Sequence, residues 1–310
     1  MKTRRLLFAI AGLALVLTIL NLRPTAVSAK PAAVAAHHLL FLWKATGGKG
    51  TVFLLGSIHV AKADFYPLPR PIEQDFAQSS VLVEEIDLSR LDPARLRGMM
   101  LEKGLYPAGD SLENHLSAET RRALQTYLRQ TGQNWAAFSP MKPWLATILV
   151  SGSAIETDGI SSRYGIDVHF AKEAEATHKE IGALESAGFQ LDLLSNLPAS
   201  LQEAMLLSSL REVQKGGREI EAFLDAWRSG NDRAIEDLVT RDVRRDPKLK
   251  PVYDELLPAR SRRMAAKIET YLATPKTTFV VVGTGHLLGK DGIVALLRAK
   301  GYKIERISAQ

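Results

Sequence analysis

The sequence predicts a mixed α/β fold, in which segments from the two ends of the chain build one β-sheet and a large helical insertion lies between them. Over residues 51 to 88 a strand, a helix and a second strand follow one another, as in a βαβ unit. After residue 276 a strand, a helix and a strand return. With 310 residues, of which 46% are hydrophobic, the chain is large enough to bury such a core.

The first residues predict an export signal that is separate from the fold. "MKTRR" is basic, and Leu6 to Leu20 form an apolar run that is shorter than a typical membrane span. Small residues at Val27 and Ala29 precede the expected cleavage site. We therefore expect a signal peptide over residues 1–29 and a periplasmic protein. An uncleaved membrane anchor is the alternative, and both the general and the twin-arginine export routes remain open.

Charge and cysteine content exclude several classes of function. Four of the 40 basic residues belong to the expected signal peptide, which leaves 36 basic against 34 acidic residues in the mature chain. A balance this close to neutral gives no support for nucleic-acid binding. The sequence has no cysteine, so disulfides and thiolate chemistry are excluded. Any bound metal must be held by His, Asp, Glu or water.

The N-terminal half of the predicted sheet follows a proposed tether. Residues 30 to 48 are rich in Ala and Pro and predict a tether, ahead of a single domain over residues 49 to 308. "TVFLLG" predicts the first strand, "PLPRPIEQDFAQS" a helix that starts with prolines, and "SVLVEEID" a largely buried second strand.

The middle of the chain predicts helices. From about residue 115 to 272, amphipathic and apolar segments predict a helical insertion, which a short strand in "KEIGAL" interrupts. The C-terminal strand, helix and strand are predicted by "TTFVVVG", "GIVALLRAKG" and "YKIERI".

Two segments repeat one pattern, in which an apolar strand ends in a glycine and a histidine follows three positions later. The first has Gly56 and His59, and the second has Gly283 and His286. Ligands of α/β sheets bind at the carboxyl ends of the strands. If the two strands are neighbours, the histidines face each other above the sheet edge. Two imidazoles and an acid are a common ligand set for a divalent metal.

The second predicted strand offers the acid. Glu84 and Glu85 are consecutive, so they are expected to point to opposite faces, with Glu84 facing water. Glu85 lies on the same side as Asp87. A carboxylate in such an apolar strand is costly unless it is paired or coordinates a ligand. We expect Glu85 to act as a metal ligand or as a general base, and the sequence leaves both roles open.

Three further residues are weaker candidates. Asp167 in "YGIDVHF" is either a helix cap or part of the site. Glu185 follows the predicted strand of "KEIGAL", which is a site position, but it could equally cap the next helix. Arg260 stands in a charge run that would ordinarily be solvated, although an arginine at the site could steady a developing oxyanion. The remaining candidates lack a partner pattern and are expected to be structural: His115, His169 and His178.

In this order, these segments resemble the TraB/GumN family, which includes the Tiki metalloproteases. The resemblance spans roughly residues 40 to 308 and rests on "FLLGSIHVAKADFYPLP", "LVEEIDLS", "MKPWLA", "YGIDVHF", "ARSRRMAAKI" and "FVVVGTGHLLGKDGIVALLRAKGYKIERI". It implies a mixed α/β domain with a helical insertion. It also implies a divalent metal, manganese or cobalt in the Tiki members, held by two Gly-x-x-His motifs and a glutamate.

Carried over to this chain, the resemblance implies a site formed by the two motif glycines, their histidines and one acid: Gly56, His59, Glu85, Gly283 and His286. Arg260 falls on an arginine position of the family. Ser57 keeps the hydroxyl of a threonine that the family often has, and Ser261 stands where the family often has asparagine. Ser57, Asp167 and Glu185 are expected around the ligands.

The leading hypothesis is an exported metal-dependent hydrolase that cleaves peptide bonds with manganese, cobalt or zinc. Alternatives are a metal- or haem-binding protein without turnover, and an accessory protein of surface polysaccharide export. We expect a peptide or protein substrate and no nucleic-acid partner. Membrane contact is expected only through an uncleaved signal segment, and the sequence predicts no oligomeric state.

Overall fold

The computed structural model describes residues 39–155, 159–214 and 218–309. The predicted signal peptide and the first part of the predicted tether lie outside these residues. The described chain forms a six-stranded mixed sheet with helices packed around it, which confirms the predicted fold class. Among the described helices, none is both long enough and apolar enough to cross a bilayer.

The main sheet contains β1 Leu39–Thr46, β2 Thr51–Ser57, β4 Val81–Glu84, β6 Glu180–Ala183, β7 Thr277–Gly283 and β8 Lys303–Ser308. A separate two-stranded sheet consists of β3 Ala61–Lys62 and β5 Ile160–Ser161. The order across the main sheet is β6-β4-β7-β2-β1-β8. Strands β6, β4, β7 and β2 pair in parallel, and β1 pairs antiparallel with both β2 and β8. The C-terminal strand β7 therefore lies between β2 and β4.

The helices are α1 Arg70–Ala77, α2 Pro93–Gly104, α3 Ala118–Thr131, α4 Trp135–Phe138, α5 Pro143–Ile155, α6 Ile166–Ala176, α7 Ala187–Ser195, α8 Ala199–Val213, α9 Arg218–Arg228, α10 Asp232–Arg245, α11 Lys250–Asp254, α12 Arg260–Leu272 and α13 Ile293–Ala299. A π-helical turn, Glu255–Ala259, joins α11 to α12. Short 3₁₀ turns include Leu88–Arg90 after β4 and Thr284–His286 after β7.

The predicted tether is wrong for its second half, because Leu39–Thr46 is strand β1. Its central residues Leu40 to Trp43 are at most 3% exposed, and the strand pairs on both sides. A strand buried on both faces shows a continuous apolar run without alternation, and here that run directly follows an Ala-rich stretch. The Ala- and Pro-rich composition that predicts a tether therefore ends before Leu39, where the strand begins.

The helical region also begins earlier than the predicted residue 115. Helix α2 starts at Pro93, where the Asp92 side chain accepts the backbone N–H groups of Ala94 and Arg95. Aspartate at the cap and proline at the first helical position are strong start signals. The short strand expected in "KEIGAL" is present as β6 and extends the sheet beside β4.

Aromatic residues pack helices onto the sheet. Phe279 of β7 contacts Phe76 of α1 and Phe170 of α6, with ring centroids 5.5 and 5.0 Å apart. Trp227 of α9 stacks near Phe41 and donates its indole N–H to the carbonyl of Gly56 at 2.8 Å. The Trp227 bond holds the end of β2, from which the first histidine motif continues, and the Phe279 contacts anchor β7 near its start.

We expect β1 to contribute core stability. Leu42 is fully buried, whereas Leu39 in the same strand is 48% exposed. Leu42→Ala should lower the free energy of unfolding by about 2–5 kcal/mol, because it removes buried methyl groups and leaves a cavity. Leu39→Ala should change it by less than about 0.5 kcal/mol. Urea unfolding of the two variants checks this, and equal effects would contradict the assignment of β1 to the core.

Candidate functional site

Four parallel strands end at one edge of the sheet, and a polar side chain lies just after the end of each strand. His59 follows β2, His286 follows β7, Glu85 follows β4 and Glu185 follows β6. This is the edge where α/β sheets bind ligands. Arg260, the first residue of α12, lies among them with 1% of its surface exposed. The structure therefore brings together the two histidines, both glutamates and the arginine.

Gly283 marks the point on which three of these side chains converge. A Cβ atom added to Gly283 would lie 3.2 Å from Glu85 Oε1 and 3.7 Å from His59 Nε2. It would also lie 3.7 Å from His286 Cδ2. A side chain at position 283 would therefore enter the space between the three groups, and only glycine leaves this space open.

Gly56 of the first motif allows the two motif loops to lie close together. A Cβ there would lie 2.9 to 3.2 Å from three atoms of Thr284, so glycine permits the close approach of the two motifs. The Thr284 hydroxyl donates to the backbone carbonyl of Ser57 at 2.8 Å. The Ser57 hydroxyl itself is buried and makes no hydrogen bond within the described chain.

His59 is held through one ring nitrogen. Its Nδ1 lies 3.0 Å from Oδ2 of Asp167, whereas its buried Nε2 has no hydrogen-bond partner in the described chain. Burial lowers the pKa of His59, but the charge and hydrogen bond of Asp167 outweigh burial, so the pKa is raised from its ordinary value. When the imidazole is neutral, a carboxylate on Nδ1 selects the tautomer whose Nε2 lone pair is free, as in many histidine–metal sites.

His286 is held in the same way by a hydroxyl. Its Nδ1 lies 3.0 Å from Oγ of Ser261, and its Nε2 lies 3.9 Å from Oε1 of Glu85 without a hydrogen bond. Burial first, and then the neighbouring Arg260, lower the pKa of His286 to about 3. Its imidazole is therefore neutral at neutral pH. Ser261, where the family often has asparagine, retains a contact with the motif histidine.

Glu85 is an ionised carboxylate with both oxygens engaged. Oε1 accepts the backbone N–H of Gly283 at 2.7 Å, and Oε2 accepts Nη2 of Arg260 at 2.5 Å. Burial alone would raise its pKa, but Arg260, the two histidines and the Gly283 amide together lower it to about 2. A general base works best with a pKa near the working pH, so this environment favours a ligand or positioning role over a base.

Arg260 is not part of the solvated charge run that the sequence suggested. Its Nε and Nη2 atoms donate to Glu185 at 2.8 to 3.1 Å, in addition to the bond with Glu85. Gln190 donates to Glu185 at 2.9 Å. The guanidinium of Arg260 therefore donates to the carboxylates of Glu85 and Glu185. These contacts give no support to the expectation that Arg260 stabilises an oxyanion. Glu185 acts on the site through Arg260.

Asp167 reaches His59 because two loops are tied together. It lies in the first turn of α6, whose first backbone N–H, from Ile166, donates to the carbonyl of Ile58 at 3.0 Å. A Cβ on Gly165 would lie 2.7 Å from both the His59 carbonyl oxygen and Asp167 Oδ1. Of the two roles that the sequence left open, the structure places Asp167 at the site.

Glu84 is the residue that the sequence analysis missed. The expectation that it faces water is wrong, because it is only 2% exposed and neither carboxyl oxygen makes a hydrogen bond within the described chain. Burial first, and then the charge of Asp167, raise its pKa well above the ordinary value. Strand β4 ends at Glu84, so alternation does not carry past it and both glutamates turn inward.

The histidines expected to be structural have other contacts. His115 Nε2 lies 2.8 Å from Asp110 Oδ2, and the ring stacks on Tyr106. His169 Nε2 lies 3.5 Å from Glu73 Oε1. His178, at the end of α6, adopts a left-handed backbone conformation with φ of 53°.

The donor atoms of the site suit a divalent metal ion, although they do not form a finished cage. Within residues 39–155, 159–214 and 218–309, no group of three or more His, Asp or Glu side chains is arranged to hold an ion by itself. The Nε2 atoms of His59 and His286 nevertheless lack hydrogen-bond partners among the described residues, and Glu85 is ionised beside them. Imidazole and carboxylate are donors that first-row divalent metals accept, with water completing the coordination.

Comparison with known proteins identifies the family. A model of the TraB/PrgY/gumN family matches residues 41–306. The chain belongs to this family. The resemblance to TraB/GumN proteins is thereby confirmed. Uncharacterized protein YbaP of Escherichia coli (strain K12) is 25% identical over 275 residues, which cover 86% of this chain and 96% of YbaP.

Relatives of this TraB/PrgY/gumN protein also include animal metalloproteases. Metalloprotease TIKI1 of Danio rerio is 24% identical over 310 residues, which cover 83% of this chain and 61% of TIKI1. Metalloprotease TIKI1 of Homo sapiens is 24% identical over 328 residues, which cover 87% of this chain and 62% of that protein. The chain thus matches only part of these longer relatives. No solved structure matches it.

The two motif histidines of this family member should titrate very differently in the metal-free protein. His59 should titrate above its ordinary value, and His286 should stay neutral until about pH 3. In Asp167→Asn the raising charge is gone, so burial should bring the pKa of His59 below 6.5. Nitrogen-detected NMR with a chelator present measures both. A His286 that titrates between pH 6 and 7 would contradict the described environment.

Proposed function

We propose that this protein is an exported, metal-dependent hydrolase that cleaves peptide bonds. The observation that carries the proposal is the matched state of the two motif histidines. In each, Nδ1 is hydrogen-bonded and the buried Nε2 has no partner within the described chain. Unpartnered buried nitrogens are rare in native proteins, and a pair at a ligand-binding sheet edge points to a shared ligand.

In this proposal His59, His286 and Glu85 hold the metal. The surrounding residues orient these ligands and set their protonation states. A divalent metal bound there would polarise the scissile carbonyl and lower the pKa of a bound water. Asp167 and Ser261 orient the two imidazoles. Arg260 keeps Glu85 ionised and His286 neutral, which are the protonation states that metal ligands require.

The substrate class rests on the relatives. The TIKI proteins are named metalloproteases, and they match this chain over most of its length at 24% identity. Their name supports peptide bonds as the substrate, whereas the name of YbaP carries no activity. Manganese, cobalt and zinc all accept this donor set, so we leave the choice among them to metal analysis.

Nothing at the site favours the alternative of a haem protein. The cavity that His59 and Glu85 line has a volume of about 20 Å³, which is far smaller than a porphyrin. The other alternative, an accessory role in polysaccharide export, predicts no hydrolysis that depends on either histidine.

Removing either motif histidine should abolish hydrolysis. We expect His59→Ala and His286→Ala each to lower the rate on a fluorescently labelled protein substrate by at least about 100-fold, because loss of a ligand should exceed the effect of losing an outer contact. The double variant should be little worse than either single one, since ligands of one ion act as a unit. Chelation of the wild type should give the same loss, and added metal should restore activity.

His178→Ala is the matched control, because this histidine is exposed and precedes β6, at the opposite end of that strand from Glu185. It should hydrolyse the substrate at the wild-type rate. Circular dichroism must show that each variant is folded. A folded His59→Ala protein with full hydrolysis that resists chelation would refute the proposal.

Export is tested separately from activity. We expect the mature N-terminus near Lys30, since a basic start, a short apolar run and small residues precede it. Expression of the full chain, fractionation of the cells and N-terminal sequencing check this. Recovery of the intact chain with Met1 in the membrane fraction would instead show a retained anchor.

A further inference from the structure

Unsatisfied polar atoms surround one small cavity beside the candidate site. Ser57, His59, Glu84 and Asp167 line it. The Ser57 hydroxyl, both oxygens of Glu84 and Oδ1 of Asp167 have no hydrogen-bond partner in the described chain. Ser57 and Glu84 are each 2% exposed, and Asp167 is 7% exposed. Four orphaned oxygens around a single space are far more than burial by chance would leave.

The cavity adjoins the space around Gly283 and shares His59 and Glu85 with it. It reaches Val281 of β7 and the covering residues Ile86 and Leu88, and neither His286 nor Gly283 lines it. Its volume of about 20 Å³ has room for one water or one ion. Whatever occupies it must satisfy the oxygens of Ser57, Glu84 and Asp167.

The chemistry of the lining favours a cation over a water molecule. The carboxyl groups of Glu84, Glu85 and Asp167 line the cavity together with His59, and the lining contains no Lys or Arg. Arg260 pairs with Glu85, and His59 pairs with Oδ2 of Asp167, but Glu84 has no cationic partner within the described chain. Burial raises the pKa of Glu84, so a cation that binds there would displace its proton. A single water has only two protons to donate, whereas buried carboxylates are ordinarily paired or bound to metal.

We propose that this cavity is a second cation site, in which one hard divalent ion binds the carboxylate oxygens of Glu84 and Asp167 and the hydroxyl of Ser57. Carboxylate, hydroxyl and water oxygens are the donors that Mg²⁺ and Mn²⁺ prefer. One or two carboxylates suffice for these ions, which keep water in the remaining positions. Within the described residues no group of three or more His, Asp or Glu side chains is arranged to hold an ion, so water would have to complete the coordination here.

Asp167 joins the two sites. Its Oδ2 contacts His59 Nδ1, and its Oδ1 lies 2.7 Å from where a Cβ on Gly165 would stand, next to the His59 backbone. The Asp167 carboxylate would thus bind an ion through Oδ1 and His59 through Oδ2. The second site does not depend on hydrolysis, although it adjoins the proposed catalytic metal.

Binding of Mn²⁺ by the full-length chain tests the proposal. After removal of metals with a chelator, the protein is titrated with MnCl₂, and free Mn²⁺ is followed by its electron paramagnetic resonance signal. We expect two ions in the wild type. Glu84→Gln, which keeps the size of the side chain, should weaken one site by more than about tenfold. Ser57→Ala should weaken the same site. Glu305→Gln, an exposed carboxylate change on β8, should leave both sites intact.

The variants separate this proposal from the proposed function. His286→Ala should remove the other ion and spare the one that Glu84→Gln removes. If the wild type binds one ion that Glu84→Gln loses and His286→Ala keeps, the second site stands and the histidine site fails. If Glu84→Gln and Ser57→Ala, both folded by circular dichroism, bind as many ions as the wild type with equal affinity, the second site is refuted and its occupant is water.

Discussion

The pairing of β7 between β2 and β4 is the constraint on which the candidate site depends. Ser57 pairs with Gly283, so β2 and β7 end level with one another, and β4 ends slightly earlier, where Glu84 pairs with Val281. His286 therefore emerges between His59 and Glu85. The bond from the Gly283 amide to Glu85 joins residues 198 positions apart. Closing so long a loop costs conformational entropy, which the fully buried parallel strands must offset.

Arg260 links the electrostatics of the whole cluster. It lowers the pKa of both Glu85 and His286, so one group keeps the acid charged and the imidazole neutral. It is itself held by Glu85 and Glu185, which raise its pKa against the effect of burial. Removing one partner from a buried ion pair leaves an uncompensated charge, so the cluster resists change at any one of these residues. Two carboxylates around one guanidinium also leave negative charge, which suits a cation nearby.

The sequence predicted those parts of the site that follow strand ends. The repeated Gly-x-x-His pattern marked His59 and His286, because a glycine after an apolar strand is a local feature. Ser261 and Glu84 carry no such signal. The contact between Ser261 and His286 depends on how α12 packs, and the burial of Glu84 depends on where β4 stops.

For the fold as well, the sequence predicts the features that depend on local pattern and not those that depend on long-range contacts. Strand, helix and strand at each end were evident from local periodicity, and the fold class followed from them. Strand β1 was missed because an apolar run buried on both faces lacks alternation, and because it adjoins an Ala- and Pro-rich stretch. The central position of β7 is a long-range pairing, which no local pattern encodes.

Burial of the histidines sets a condition on the proposed chemistry. His286 is fully buried and His59 is 5% exposed, so a peptide cannot touch either unless a covering element shifts. A cavity of about 390 Å³ lies on the far side of Ser261 and Gly285, and Leu257 and Pro258 of the π-helical turn form part of its wall. Proline has no N–H, and a π-turn departs from the regular α-helical hydrogen-bond pattern. Ser261, whose hydroxyl contacts His286 Nδ1, also lines this cavity, so the larger space lies beside the hydrogen-bond partner of the buried histidine.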